Sequence, residues 1–78
     1  METKILQKYC KLLGQQIKKM RKKKNITLEE LSLKTKIRIE YLAKIEKGNA
    51  YGVKLSAHIC KIADALGVSV YNLFDFQG

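Results

Sequence analysis

From Lys4 to about Lys23 the apolar residues Leu6, Tyr9, Cys10, Leu13, Ile17 and Met20 recur at steps of one, three and four, which places them along one face of a long helix. Gly14 falls inside this run, where it costs about 1 kcal/mol relative to alanine. It predicts either a close approach by another helix or a break between an N-terminal extension, residues 1–12, and a domain proper over residues 13–78. Like-charge crowding in KKMRKKK, Lys18 to Lys24, weakens the end of the helix, and Asn25 stops it.

Thr27 followed by Glu30 is a capping box, so a second helix is expected from Leu28. It has about two turns, with Leu28 and Leu31 inward, and ends near Thr35. The chain must then turn at Lys36 or its neighbour without a glycine, so a non-glycine residue accepts the turn conformation. A third helix is predicted from Arg38 to Lys47, with Leu42 and Ile45 inward, Ile37 plugging the turn, and Gly48 and Asn49 ending it. Asn49 to Lys54 reads as a loop. Leu55, Ile59, Ile62, Ala63 and Leu66 mark a fourth helix closed by Gly67, and Ser69 caps a last short helix from Val70 to about Phe74. The pattern predicts an all-α, compact five-helix bundle in which Ile26 to Gly48 forms a helix-turn-helix.

Length and charge narrow the function. At 78 residues the chain is one domain, with 46% hydrophobic residues to supply its core. Sixteen basic residues against seven acidic give a net charge of +9, the balance of a protein that docks on a polyanion. Up to Lys24 the only carboxylate is Glu2. Anionic lipid or an acidic protein would satisfy the same charge. Lys4, Lys8 and Lys11 interrupt the opening stretch, so it lacks the apolar run of a secretory leader, and no stretch approaches the ~18 apolar residues of a membrane span. Cys10 and Cys60 each fall on an apolar stripe and read as reduced, buried small hydrophobes, which predicts a cytoplasmic protein.

Catalytic chemistry finds little support. His58 has no cysteine or acid arranged around it that the sequence reveals, and a surface or partly buried structural role is expected. Glycine-rich phosphate loops, zinc spacings and nucleophile motifs are lacking, so neither an enzyme nor a metal or cofactor site is expected.

From Leu13 to Phe74 the sequence resembles the Cro/repressor-type (Xre) helix-turn-helix family, which has a lambda-repressor-like fold. LGQQIKKMRKKKNIT resembles its first helix, IEKG the exit of its third, and ALGVSVYNLF its closing segment. The resemblance implies a sequence-specific transcriptional regulator binding double-stranded DNA. It implies that Arg21 and Glu46 form a structural ion pair, and that Arg38, Ile39, Glu40 and Lys44 face the major groove. Arg38 would then grip guanine or a phosphate, Lys44 reach a phosphate or base, Ile39 meet a thymine methyl, and Glu40 accept from cytosine. For Arg38, Lys44 and above all Glu40 the alternative is a solvated surface charge. Leu28 stands where the family often carries glutamine, which removes a polar contact. Phosphate clamping is expected from the basic cluster and the loop after the third helix, at Lys22, Lys23, Lys24, Lys36, Lys47, Asn49 and Lys54.

TKIRIEYLAKIEKG is also similar to the cytoplasmic domain of RodZ, a bacterial cell-shape protein whose helix-turn-helix binds the actin-like protein MreB. That resemblance implies a protein partner, which suits Leu28 and Ile39 better than phosphates. Finally, Tyr71, Leu73, Phe74 and Phe76 exceed the needs of one small core and predict a homodimer interface, with Ile5 and Tyr9 as further candidates.

Overall fold

Gly14 lies inside one unbroken helix, α1 (Glu2–Lys23). The computed structural model describes the backbone of residues 2–50 and 53–75 and the side chains of residues 7–50, 55 and 57–75. A Cβ at Gly14 would lie 2.6 Å from the carbonyl oxygen of Glu46 and would also strike that of Ile45. Both belong to α3 (Ile39–Lys47). Of the two explanations for this glycine, close helix approach is therefore the one present: α1 and α3 cross with their backbones in contact.

Seven residues along α1, close to two turns, Arg21 faces the same way. Its Nε donates to Glu46 Oε2 at 2.7 Å and its Nη2 to Oε1 at 3.1 Å, a two-pronged pair whose side chains are 9% and 6% exposed. The remaining arm, Nη1, donates to the carbonyl of Ile26 at 2.9 Å. One guanidinium thus ties α1, α3 and the connection into α2 (Leu28–Thr35).

Each helix ends by a visible local mechanism. Asn25 takes a left-handed conformation (φ 57°), and the N–H groups of Asn25 and Ile26 bond back to the carbonyls of Lys22 and Arg21. Gly48 (φ 80°) closes α3 in the same way, with its own N–H on Ile45 and that of Asn49 on Lys44. A side chain at Gly48 would meet the Lys11 backbone at 2.7 Å, so glycine is required there twice over. α4 (Val53–Leu66) starts two residues before the apolar pattern suggests. α5 (Val70–Leu73) opens with a reciprocal capping box between Ser69 and Asn72.

All five helices contribute to one core: Leu13 and Ile17 from α1, Leu31 from α2, Leu42 and Ile45 from α3, Ile59, Ile62 and Leu66 from α4, and Leu73 from α5. No strand occurs among the described residues. Two expectations need correction here. Leu73 is 0% exposed and so is unavailable to a partner copy. α5 is pinned to α1 by Gln16, whose Nε2 donates to the carbonyls of Asn72 (2.9 Å) and Asp75 (3.0 Å), and a helix of one turn can point only one side inward. Cys60 is exposed, because it stands beside, not on, the Ile59–Ile62–Leu66 stripe; Cys10 is buried, and neither is bridged.

Two substitutions test this framework. Gly14→Ala should destabilise the fold by about 2 kcal/mol, overriding the helix-propensity gain of about 1, because the obstruction is backbone. Urea titration should show a lower midpoint at unchanged slope. Glu46→Ala, which strands a buried guanidinium, should cost about 3–5 kcal/mol, whereas replacing both partners with apolar residues should cost far less. Equal losses in single and double variants would contradict that account of the pair.

Candidate nucleic-acid interface

The turn between α2 and α3 is built by two hydroxyls and one strained residue. Lys36 adopts a left-handed conformation (φ 60°), and its N–H bonds to the Ser32 carbonyl at 2.7 Å. Thr35 Oγ1 donates to Leu31 and accepts from the Ile37 N–H, while Ser32 Oγ donates to the Ile37 carbonyl. Ile37 is buried as the plug of the turn. The turn is therefore held from both sides without a glycine, and Arg38 emerges exposed as the residue that starts α3.

Successive residues on a helix are about 100° apart. On α3, Leu42 and Ile45 point into the core and Glu46 toward Arg21, which leaves Ile39, Glu40, Ala43, Lys44 and Lys47 on one outer face. The fold thus brings Ile39, Glu40 and Lys44 together on one surface, with Arg38 at its edge. Glu40, Lys44 and Lys47 are exposed, whereas Ile39 and Ala43 are half-buried. Ala43 was not singled out from the sequence, although it lies four residues after Ile39 and four before Lys47. Glu40 also complements the positive end of the α3 dipole, which by itself accounts for an acid in that first turn. Leu28 packs against the core instead of facing solvent like a polar reader.

The lysine run of α1 divides between two faces. Gly14 and Arg21 define the side toward α3, and Lys18 and Lys22, four and eight residues after Gly14, project beside it. Lys23 and Lys24, with Lys19, instead line a cleft of about 470 Å³ against Val68 and Asn72, on the α5 side. The phosphate candidates Lys22, Lys23 and Lys24 therefore do not share one surface, and Lys18 is the neighbour of Lys22 that sequence reasoning passed over. Helical spacing from Gly14 would have found it. Lys36, Lys47 and Asn49 are all exposed around α3, and the side chain of Lys54 lies outside the described residues.

Tyr71 is 88% exposed and Phe74 50%. Phe76 and the Ile5 side chain lie outside the described residues. Beside Phe74, an apolar groove of about 400 Å³ runs between α1, α4 and α5 over Tyr9, Cys10, Leu55 and Ile59. Burial raises the pKa of the Cys10 thiol on its wall. His58, half-buried on α4, packs edge-on against Tyr41 with ring centres 4.9 Å apart. Its Nδ1 is buried without a hydrogen-bond partner among the described residues, a situation that costs about 1–3 kcal/mol. Among the described residues no cluster of His, Cys, Asp or Glu could hold a metal, and no helix is long and apolar enough to cross a membrane.

Two short helices joined by a tight turn, the second with an exposed outer face and a basic start, define a helix-turn-helix protein. The family profile described as a helix-turn-helix domain matches residues 14–76, and the chain belongs to that family. Its fold is shared by three solved regulators. The restriction-modification controller protein C.AhdI from Aeromonas hydrophila superposes with a TM-score of 0.75 at 25% identity, over 83% of this chain and 96% of that one. The clp gene regulator ClgR from C. glutamicum gives 0.79 at 26%, over 87% and 86%. An HTH_3 family transcriptional regulator from Vibrio cholerae gives 0.81 at 26%, over 92% of this chain but 40% of that longer one. No curated protein matches in sequence. Family and fold are those of DNA-binding regulators, not enzymes.

Lys36→Gly should stabilise the isolated protein by about 0.5–1 kcal/mol, because glycine relieves the left-handed penalty of about 1–2 kcal/mol while losing more entropy on folding. The check is a shift of the urea midpoint without DNA present. A loss of stability would mean that the Lys36 side chain contributes more than its backbone costs.

Proposed function

We propose that this chain is a sequence-specific, cytoplasmic transcriptional regulator of the Xre/Cro-repressor type that lays α3 in the major groove of double-stranded DNA as a homodimer. The observation that carries this reading is the outer face of α3, where Ile39, Glu40, Ala43, Lys44 and Lys47 lie together beyond the exposed Arg38. Arg38 and Lys44 do most of the direct reading, Ile39 and Ala43 offer apolar contact to thymine methyls, and deformation of the duplex supplies the rest. Lys22, Lys36, Lys47 and Asn49 hold phosphates; Lys23 and Lys24, turned toward α5, contribute long-range attraction. Tyr71 and Phe74 supply the exposed apolar surface for the two-fold contact, in place of the buried Leu73. No cofactor enters this mechanism.

Selection of bound duplexes from a random pool at ~150 mM salt should enrich one motif, and a two-fold dimer predicts half-sites about one helical turn apart. Arg38→Ala should relax preference at one position by about 1–3 kcal/mol. Lys22→Ala should instead weaken binding evenly over all sequences and reduce the salt slope by about one. Sedimentation should show a concentration-dependent dimer that Tyr71→Ser with Phe74→Ser disperses, whereas a monomer up to high micromolar concentration would exclude the dimer. A pool without enrichment would favour a protein partner, for which Leu33 on α2, 80% exposed, is the feature in the structure.

A further inference from the structure

The helix-turn-helix turn and the first half of α4 enclose a cleft of about 320 Å³, lined by Lys36, Ile37, Arg38, Tyr41 and His58. Four of these side chains can donate hydrogen bonds, two of them always carry their donors on a cation, and no carboxylate is among them. Lys36 and Arg38 make no ion pair or side-chain hydrogen bond among the described residues, so their charges are uncommitted. The Tyr41–His58 edge-on pair, rings inclined at 70°, also lines the cleft; the imidazole Nδ1 is buried, which leaves Nε2 as the nitrogen that can meet a ligand. Two uncommitted cations with a phenol and an imidazole beside them suit an oxyanion. His58 was not expected to contribute to binding, because it is isolated in sequence and comes beside Tyr41 and Arg38 only through the fold.

We propose that this cleft seats one phosphate of the DNA backbone, gripped by Lys36 and Arg38, with the His58 imidazole donating to it from α4. The assignment rests on the DNA reading above and adds to it a contact between the duplex and His58 of α4. The cleft shares Arg38, the residue that starts α3, with the edge of the outer face assigned to the groove, so a duplex docked on that face brings its backbone near Arg38. A phosphate fixed here positions α3 without reading sequence. Arg38 then serves the phosphate and the adjoining base from one guanidinium.

His58 is the only histidine of the chain, so its imidazole signals in a 1H–15N correlation spectrum are unambiguous. Titration of a selected duplex should shift them to saturation, and an equal rise in chloride should not. His58→Leu, which keeps a side chain against Tyr41, should lose about tenfold in duplex affinity evenly over sequences, the scale of one hydrogen bond to a charged group. His58→Asn, which restores a donor, should recover most of that loss, and Lys36→Gln should lower the salt slope by about 0.9, one phosphate's share. Wild-type affinity in His58→Leu, or unmoved imidazole signals at duplex saturation, would overturn the proposal. A wild type that binds no duplex removes the DNA reading itself, and inorganic phosphate then separates the two. A saturable imidazole shift with phosphate keeps the cleft as an oxyanion site and overturns only its DNA source; no shift overturns the cleft as well.

Discussion

The buried pair of Arg21 and Glu46 is the constraint on which the arrangement depends. A guanidinium offers its donors in a fixed plane, and here all three of its nitrogens are used: two on the Glu46 carboxylate and one on the Ile26 carbonyl. Removing such charges from water is favourable only with this degree of satisfaction. The bond therefore fixes the azimuth of α3 as well as its distance from α1. Gly14, seven residues earlier, lets the two backbones come close enough for that geometry. With Glu46 turned toward α1 and Leu42 and Ile45 toward the core, the remaining side of α3 has to face outward, and that outward face is the candidate reading surface.

The charge is distributed by the same geometry. A net charge of +9 spread evenly over a small domain would attract any polyanion without orienting it. Instead, Lys18 and Lys22 flank the α3 side of α1, Lys36, Arg38, Lys44 and Lys47 surround α3 itself, and Lys19, Lys23 and Lys24 gather on the α5 side. A duplex meeting α3 thus encounters a positive rim around a helix that also carries apolar positions. Among the described residues, the groove past Tyr9 and Phe74 has no lysine or arginine in its wall, in contrast to the surroundings of α3.

The capping box at Thr27, the stops at Asn25 and Gly48, and the inward pairs Leu42 and Ile45 were legible because each is a short-range signal. The same holds for the non-glycine turn at Lys36, inferred from the lack of glycine and realised as a left-handed residue. Leu73 was misplaced because an apolar residue on a one-turn helix does not reveal which side packs inward, which the bonds from Gln16 of α1 decide, and Cys60 because it stands beside the Ile59–Ile62–Leu66 stripe. Lys23 and Lys24 shared a run with Lys22 in sequence, yet line the cleft on the α5 side.

By itself the sequence determined the five helices, most of their termini, the helix-turn-helix and the cationic balance, since periodicity, capping and charge act within a few residues or over the whole chain. Tertiary structure alone decided which explanation of Gly14 holds, which lysines accompany α3, and that His58 meets Tyr41 beside Lys36 and Arg38. These pairings join residues far apart in the chain, and their geometry follows from how the helices cross, a property that no local window of sequence contains.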